Sequence, residues 1–153
     1  MIDILGGYQG TMDGKARFIL PAAFKKQLSE EEGARFVMTK GLDNCVSLFT
    51  LATWAPFKAK IAALNGFGEK QRIVKRFFLD SAVYVEPDSA GRLLVPAHLK
   101  EHAGLEKDLF LCWADDRLEI WDSNKYKQFF DSISSAEISR ITDEVLGGEN
   151  LNP

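Results

Sequence analysis

Two Asp–Arg pairs carry the first chemical signal in this sequence. Asp13 and Arg17 open the stretch "DGKARFILPAAFK", residues 13–25. Asp88 and Arg92 open "DSAGRLLVPAHLK", residues 88–100, at a constant offset of 75 that also aligns Pro-Ala with Pro-Ala and Lys25 with Lys100. An Asp at the head of a turn accepts backbone N–H groups. It can also pair with an Arg four positions on. Gly91 permits a left-handed turn just before Arg92, which fixes where that side chain leaves the strand. A guanidinium held in this way suits bidentate recognition of guanine edges and phosphates. The pattern alone leaves two readings open, a structural ion pair and a ligand contact. Repetition does not choose between them, because fold elements repeat as readily as binding elements.

Other candidate groups read more simply. His98 and His102 stand four apart in "HLKEH", a metal-compatible spacing. No Cys or acid is placed to complete a site, and the first copy has Ala23 and Gln27 at the matching positions. "EKQRIVKRFF", residues 69–78, is basic, with Ile73, Val74, Phe77 and Phe78 spaced for one helix face. It reads as an amphipathic surface helix, with a phosphate-facing or subunit-interface helix as the alternative. Asp43 and the pair Asp115-Asp116 fall in expected turns, where Asp serves the backbone. No nucleophile-elbow, P-loop, dinucleotide or zinc signature occurs, so neither catalysis nor a cofactor is expected. Cys45 and Cys112 sit in apolar runs and read as small buried hydrophobes.

The repeat sets the expected architecture. After each motif comes an apolar run, "FVMT" or "LFLC", then an Asp-containing turn, then "CVSLF" or "LEIW". Each copy therefore predicts a strand, a short helix, a β-hairpin and an aromatic-bearing helix. Pro21 and Pro96 cannot donate to a ladder and end the first strands, Arg17–Leu20 and Arg92–Val95. Trp54 corresponds to Tyr126 and Phe57 to Phe129, at an offset of 72. Units of this size stand alone poorly. The expected fold is therefore α+β: mainly a β barrel, or else a sandwich, built from both repeats about a pseudo-twofold axis, with flanking helices. The expected boundaries are 5–64 for the first repeat, 65–81 for a helical linker, 82–132 for the second repeat, 133–146 for a C-terminal helix and 147–153 for a disordered tail. The linker helices should break at Asn65-Gly66-Phe67-Gly68, and the C-terminal helices near Ser132–Ser135.

Composition is that of an ordinary soluble protein of 153 residues with net charge −3. Residues 1–100 hold 14 Lys/Arg against 10 Asp/Glu, and residues 101–153 hold 5 against 12. One basic face can coexist with an acidic total. The start, "MIDILGGYQG", lacks a signal-peptide pattern, and no apolar run is long enough to span a membrane. A cytoplasmic location follows as the expectation.

The two copies resemble the paired motifs of the MraZ family, bacterial regulators related to AbrB-type swapped-hairpin folds. The second copy follows the family pattern from Asp88 through Ile120-Trp121. The first is looser, with Ala16 where the family usually has Gly; Lys25 and Lys100 stand where Arg is common. "RFFLDSA", residues 76–82, is similar to the family's linker, and the likeness covers roughly residues 5–132. The resemblance implies a non-enzymatic transcription regulator of the division and cell-wall gene cluster. It implies binding to direct repeats of double-stranded DNA in the protein's own promoter, as a ring-shaped homo-oligomer at the nucleoid, with no cofactor and no small-molecule substrate. The DNA-contacting motif lands on Asp13, Arg17, Asp88 and Arg92, with Lys15 as a basic neighbour and Ala90 in its place in the second copy. The competing expectation is a ring-forming protein-interaction scaffold, favoured by the acidic C-terminal third.

Overall fold

The computed structural model describes residues 2–147. The chain divides into two units, Met1–Ser123 and Asn124–Pro153. The first unit holds the strands of both repeats. The first repeat runs β1 (Gly7–Thr11), β2 (Arg17–Ile19), α1 (Ala22–Lys25), β3 (Phe36–Lys40), β4 (Val46–Thr50) and α2 (Leu51–Ala62). Next comes α3 (Glu69–Lys75), which passes into a π-helical turn at Arg76–Asp80. The second repeat runs β5 (Val83–Val85), β6 (Arg92–Leu94), α4 (Ala97–Ala103), β7 (Asp108–Trp113) and β8 (Leu118–Asp122).

Six strands form one antiparallel sheet in the order β1-β7-β8-β4-β3-β5. The order is symmetric under exchange of the repeats, and it is swapped. The first strand of each repeat pairs with the third strand of the other: β1 with β7, Gly7 facing Cys112, and β5 with β3, Val83 facing Met38. Each repeat therefore completes its sheet with a strand from the other. β1 approaches β7 closely because Gly7 has no side chain; a Cβ there would collide with the Phe110 ring.

The expectation of a barrel is corrected here. The sheet is open, with β1 and β5 at its edges, and β2 and β6 pair with each other as a separate two-stranded ribbon. Each ribbon strand is held to three residues by the Asp-led turn before it and by Pro21 or Pro96 soon after. Among the described residues neither ribbon strand pairs with β1 or β5, so the sheet does not close on itself. Pro21 and Pro96 take extended ψ angles of 141° and 147°, so each caps its helix rather than entering it.

The ribbon, α1 and α4 cover one face of the sheet. Phe18, Phe24, Leu93 and Leu99 there pack with Phe36, Met38, Leu48, Leu111 and Ile120. On the opposite face Val37, Phe49 and Trp54 form a second cluster, with Phe57, Leu79 and Ala82 against it. Arg117, from the second hairpin, lies over the Phe49 and Phe57 rings at 4.9 and 4.7 Å. β4 is buried along its whole length because it lies between these two layers. In the first hairpin Gly41 N donates to Cys45 O, which leaves a three-residue loop, Leu42–Asn44, in which Asp43 and Asn44 both have positive φ, at 62° and 61°.

The expected helix breaks occur between α2 and α3 and between α5 (Ser123–Asp131) and α6 (Ser135–Val145). Within the basic segment Phe78 is buried, while Ile73 is half exposed. The four apolar residues thus do not share one covered face, because the π turn shifts the register after Lys75. Thr39 Oγ1 donates to Phe78 O of that turn at 2.6 Å. In α4, His98 and His102 each donate Nε2–H to a backbone carbonyl, Ser81 O at 2.9 Å and Gly41 O at 3.0 Å. They tie α4 to two different segments. Cys45 is buried and Cys112 half-buried, and burial pushes both thiols up to about 12.

In the second unit, Ser134 Oγ caps α6 by accepting from Glu137 N at 3.1 Å. Ile138, Ile141 and Val145 of α6 are exposed. The expectation of disorder covers 147–153, of which 148–153 lie outside the described residues.

Candidate nucleic-acid interface

The two Asp-led turns have the same hydrogen bonds. In the first, Asp13 Oδ1 accepts from Lys15 N at 2.9 Å and Arg17 N at 3.0 Å, and Oδ2 accepts from Arg17 Nε at 2.9 Å. In the second, Asp88 Oδ1 accepts from Ala90 N at 2.9 Å and Arg92 N at 2.8 Å, and Oδ2 accepts from Arg92 Nε at 2.8 Å. The backbone closes both turns alike: Asp13 N donates to Arg17 O and Asp88 N to Arg92 O, each at 2.9 Å. The residue before each Arg is left-handed, Ala16 at φ 61° and Gly91 at φ 79°. The Gly-to-Ala departure in the first copy therefore leaves the turn's shape unchanged.

This geometry orients the guanidinium. Among the described residues each Asp engages only Nε of its Arg's guanidinium, so the Nη groups, with four of the five N–H donors, stay available. Partial burial pushes the Asp13 pKa up, but hydrogen bonds from the Arg17 and Lys15 backbone and the Arg17 side chain outweigh it, and the net shift is downward. Asp88 is lowered chiefly by the Arg92 backbone N–H, against a smaller effect of burial. Both carboxylates remain charged, and clamped, at neutral pH.

The ribbon then brings both Args to one surface. In its register Arg17 faces Leu94, Phe18 faces Leu93 and Ile19 faces Arg92. Side chains alternate along a strand. Phe18 and Leu93 point into the core, and Arg17, Ile19, Arg92 and Leu94 share the outer face. The two Args stand diagonally, with backbones roughly 7–8 Å apart.

All five predicted site residues, Asp13, Lys15, Arg17, Asp88 and Arg92, thus sit on these two turns and the ribbon they frame. Lys15 is exposed at the tip of the first turn, and Ala90 holds the equivalent place in the second. Two further cations, Lys25 and Lys100, join them. Lys25 reaches the turn of the other repeat, its Nζ 3.7 Å from where a Cβ would stand on Gly91. Lys100, its counterpart at the offset of 75, lines a groove of about 480 Å³ with Asp13, Gly14 and Lys107. Each turn therefore has a lysine from the opposite repeat beside it. The signal in the sequence was the matched Lys itself; the crossing was hidden because it depends on how the repeats interlock.

Comparison with known proteins identifies the family to which the repeat belongs. The family described as "MraZ protein, putative antitoxin-like" matches twice, at residues 4–77 and 78–147. The chain belongs to the MraZ family. A protein of Thermoanaerobacter pseudethanolicus named transcriptional regulator MraZ is 40% identical over 144 residues, 93% of this chain and 98% of the relative. Another of that name, from Acetivibrio thermocellus, is 40% identical over 133 residues, 86% and 90% of the two chains. A third, from Cytophaga hutchinsonii, is 36% identical over 141 residues, 92% and 93%. Regulation of transcription is the common ground of these MraZ relatives, and MraZ is not an enzyme family. Among the described residues no helix is long and apolar enough to cross a membrane.

Proposed function

We propose that this chain is a sequence-specific DNA-binding regulator of transcription that contacts double-stranded DNA with the outer face of the β2–β6 ribbon. The observation that carries the reading is the pair of identically bonded turns, each holding Nε of one Arg and leaving its Nη groups available on a shared face. In this reading Arg17 and Arg92 contact bases or adjacent phosphates, and Asp13 and Asp88 orient them. Lys15, Lys25 and Lys100 add phosphate contacts around the ribbon.

The target is direct repeats in the protein's own promoter, upstream of the division and cell-wall gene cluster, as the family likeness suggests. A ring of identical subunits presents one face at each position, and repeats about one helical turn apart present one groove face each time. Weak single contacts of an acidic protein would then sum by avidity. The exposed apolar residues Ile138, Ile141 and Val145 of α6 favour contact with another chain, and the reading assigns them to neighbouring subunits. Native mass spectrometry should then show a closed oligomer.

Fluorescence anisotropy with DNA from upstream of the protein's own gene, titrated across salt against a shuffled duplex, tests the proposal. Tight, salt-sensitive binding to the native duplex and weak binding to the shuffled one is the expected result. Equal weak binding to both would make the turns structural and favour the protein-interaction scaffold.

A further inference from the structure

Ile19 and Leu94 lie on the ribbon face 52% and 54% exposed. They occupy equivalent positions in the two repeats, at the same offset of 75 as the Args. Each sits directly across from an Arg of the other repeat, Ile19 from Arg92 and Leu94 from Arg17. Their strand neighbours Phe18 and Leu93 already supply the core, so neither is needed for packing beneath the ribbon. A large aliphatic side chain at an exposed position, twice, between two oriented guanidiniums, is the opposite of what solubility favours.

We infer that Ile19 and Leu94 are specificity residues that read the C5-methyl groups of thymines in the DNA major groove. The inference rests on the proposed DNA-binding function and names what part of the DNA those two residues recognise. A two-stranded antiparallel ribbon fits the major groove, which is about 12 Å wide. The floor of that groove is polar except for the thymine methyl, the one apolar group by which it can be read. A second copy of this chain is less well suited to the face, because Arg17 and Arg92 would bring like charges into it, whereas phosphates and guanine acceptors complement them. Each end of the ribbon thus carries one hydrogen-bonding reader and one apolar reader, Arg17 with Leu94 and Arg92 with Ile19. The recognised element should place a thymine next to each base read by an Arg.

The test uses the full chain and the upstream duplex in two forms, one with thymine and one with deoxyuridine throughout, beside a shuffled thymine duplex. Loss of two buried methyl groups should weaken binding on the order of tenfold, while the shuffled duplex stays weakest. The double variant Ile19→Ala with Leu94→Ala should bind the two forms of the upstream duplex equally. Equal affinity of the unaltered protein for thymine and deoxyuridine forms, with the shuffled duplex still rejected, would overturn the methyl-reading role and leave DNA recognition standing. No preference for the upstream duplex over the shuffled one would overturn both. A double variant that keeps the thymine preference but changes subunit number in native mass spectrometry would assign the face to contact between copies and overturn the inference.

Discussion

The turn at Asp13–Arg17 and the turn at Asp88–Arg92 reach one geometry from different residues. The second uses Gly91 at its left-handed position, where glycine carries no steric penalty; the first places Ala16 there at φ 61°. The first offers Lys15 at its tip; the second offers Ala90. The helices that follow differ too. α4 is longer than α1 and closes on Gly104 at φ 58°. What the two copies share is the Asp carboxylate, its three hydrogen bonds and the clamped Arg. The comparison shows that this network sets the turn, strongly enough to hold an alanine in a conformation it disfavours.

If the Args are equivalent readers, removing either should have the largest effect of any change to the turns. Arg17→Ala and Arg92→Ala should each weaken binding to the upstream duplex by roughly 10- to 100-fold, with the circular dichroism spectrum unchanged. A large loss in one and none in the other would show that the geometric match does not carry into function. Next in size is acid sensitivity. Both Asp pKa values are lowered in the fold, so their stabilisation is complete above the usual Asp value of 3.8 and is lost as pH falls through the lower folded values. Asp13→Asn with Asp88→Asn should therefore lower the urea midpoint at neutral pH and flatten its decline below that value. An unchanged acid limb would remove the carboxylates from the account of the turns.

Much of this was legible in local sequence. The Asp–Arg pairs, the two hairpins and the break at Asn65–Gly68 each follow from neighbouring residues. The barrel did not follow, because pairing partners are not local: Gly7 meets Cys112, and β2 meets β6 across the two repeats. β1 was invisible as a strand because "GYQGT" lacks alternating apolar residues; its glycines serve close approach to Phe110 and Leu111. The ribbon face was hidden for a related reason. The equivalence of Arg17 with Arg92 was plain, but their shared surface depends on the antiparallel register, which also sets Ile19 and Leu94 beside them.

The tip residues sharpen the comparison further, at smaller magnitude. Lys15→Ala should reduce the slope of log affinity against log salt by about 1, and Ala90→Lys should raise it by about 1, if both tips face phosphate. A slope that responds at Lys15 and ignores Ala90→Lys would mean that the two turns sit at different depths on the DNA.

The smallest effect concerns Ala16 and Gly91, and here the expected signs are opposite. A left-handed backbone disfavours a Cβ, so Ala16→Gly should stabilise the protein by about 1 kcal/mol in urea unfolding. Gly91→Ala should destabilise it by about the same amount. Packing does not obscure the second change: a Cβ on Gly91 would meet its nearest neighbour, Lys25 Nζ, at 3.7 Å, an ordinary contact. The penalty at that position is therefore one of backbone conformation alone. Exchanging the two residues, Ala16→Gly with Gly91→Ala, should leave stability near its starting value, because one strained turn replaces the other. A swapped variant well below the parent would mean that the second turn depends on its glycine for more than φ, and that the two copies are alike in hydrogen bonds but not in tolerance.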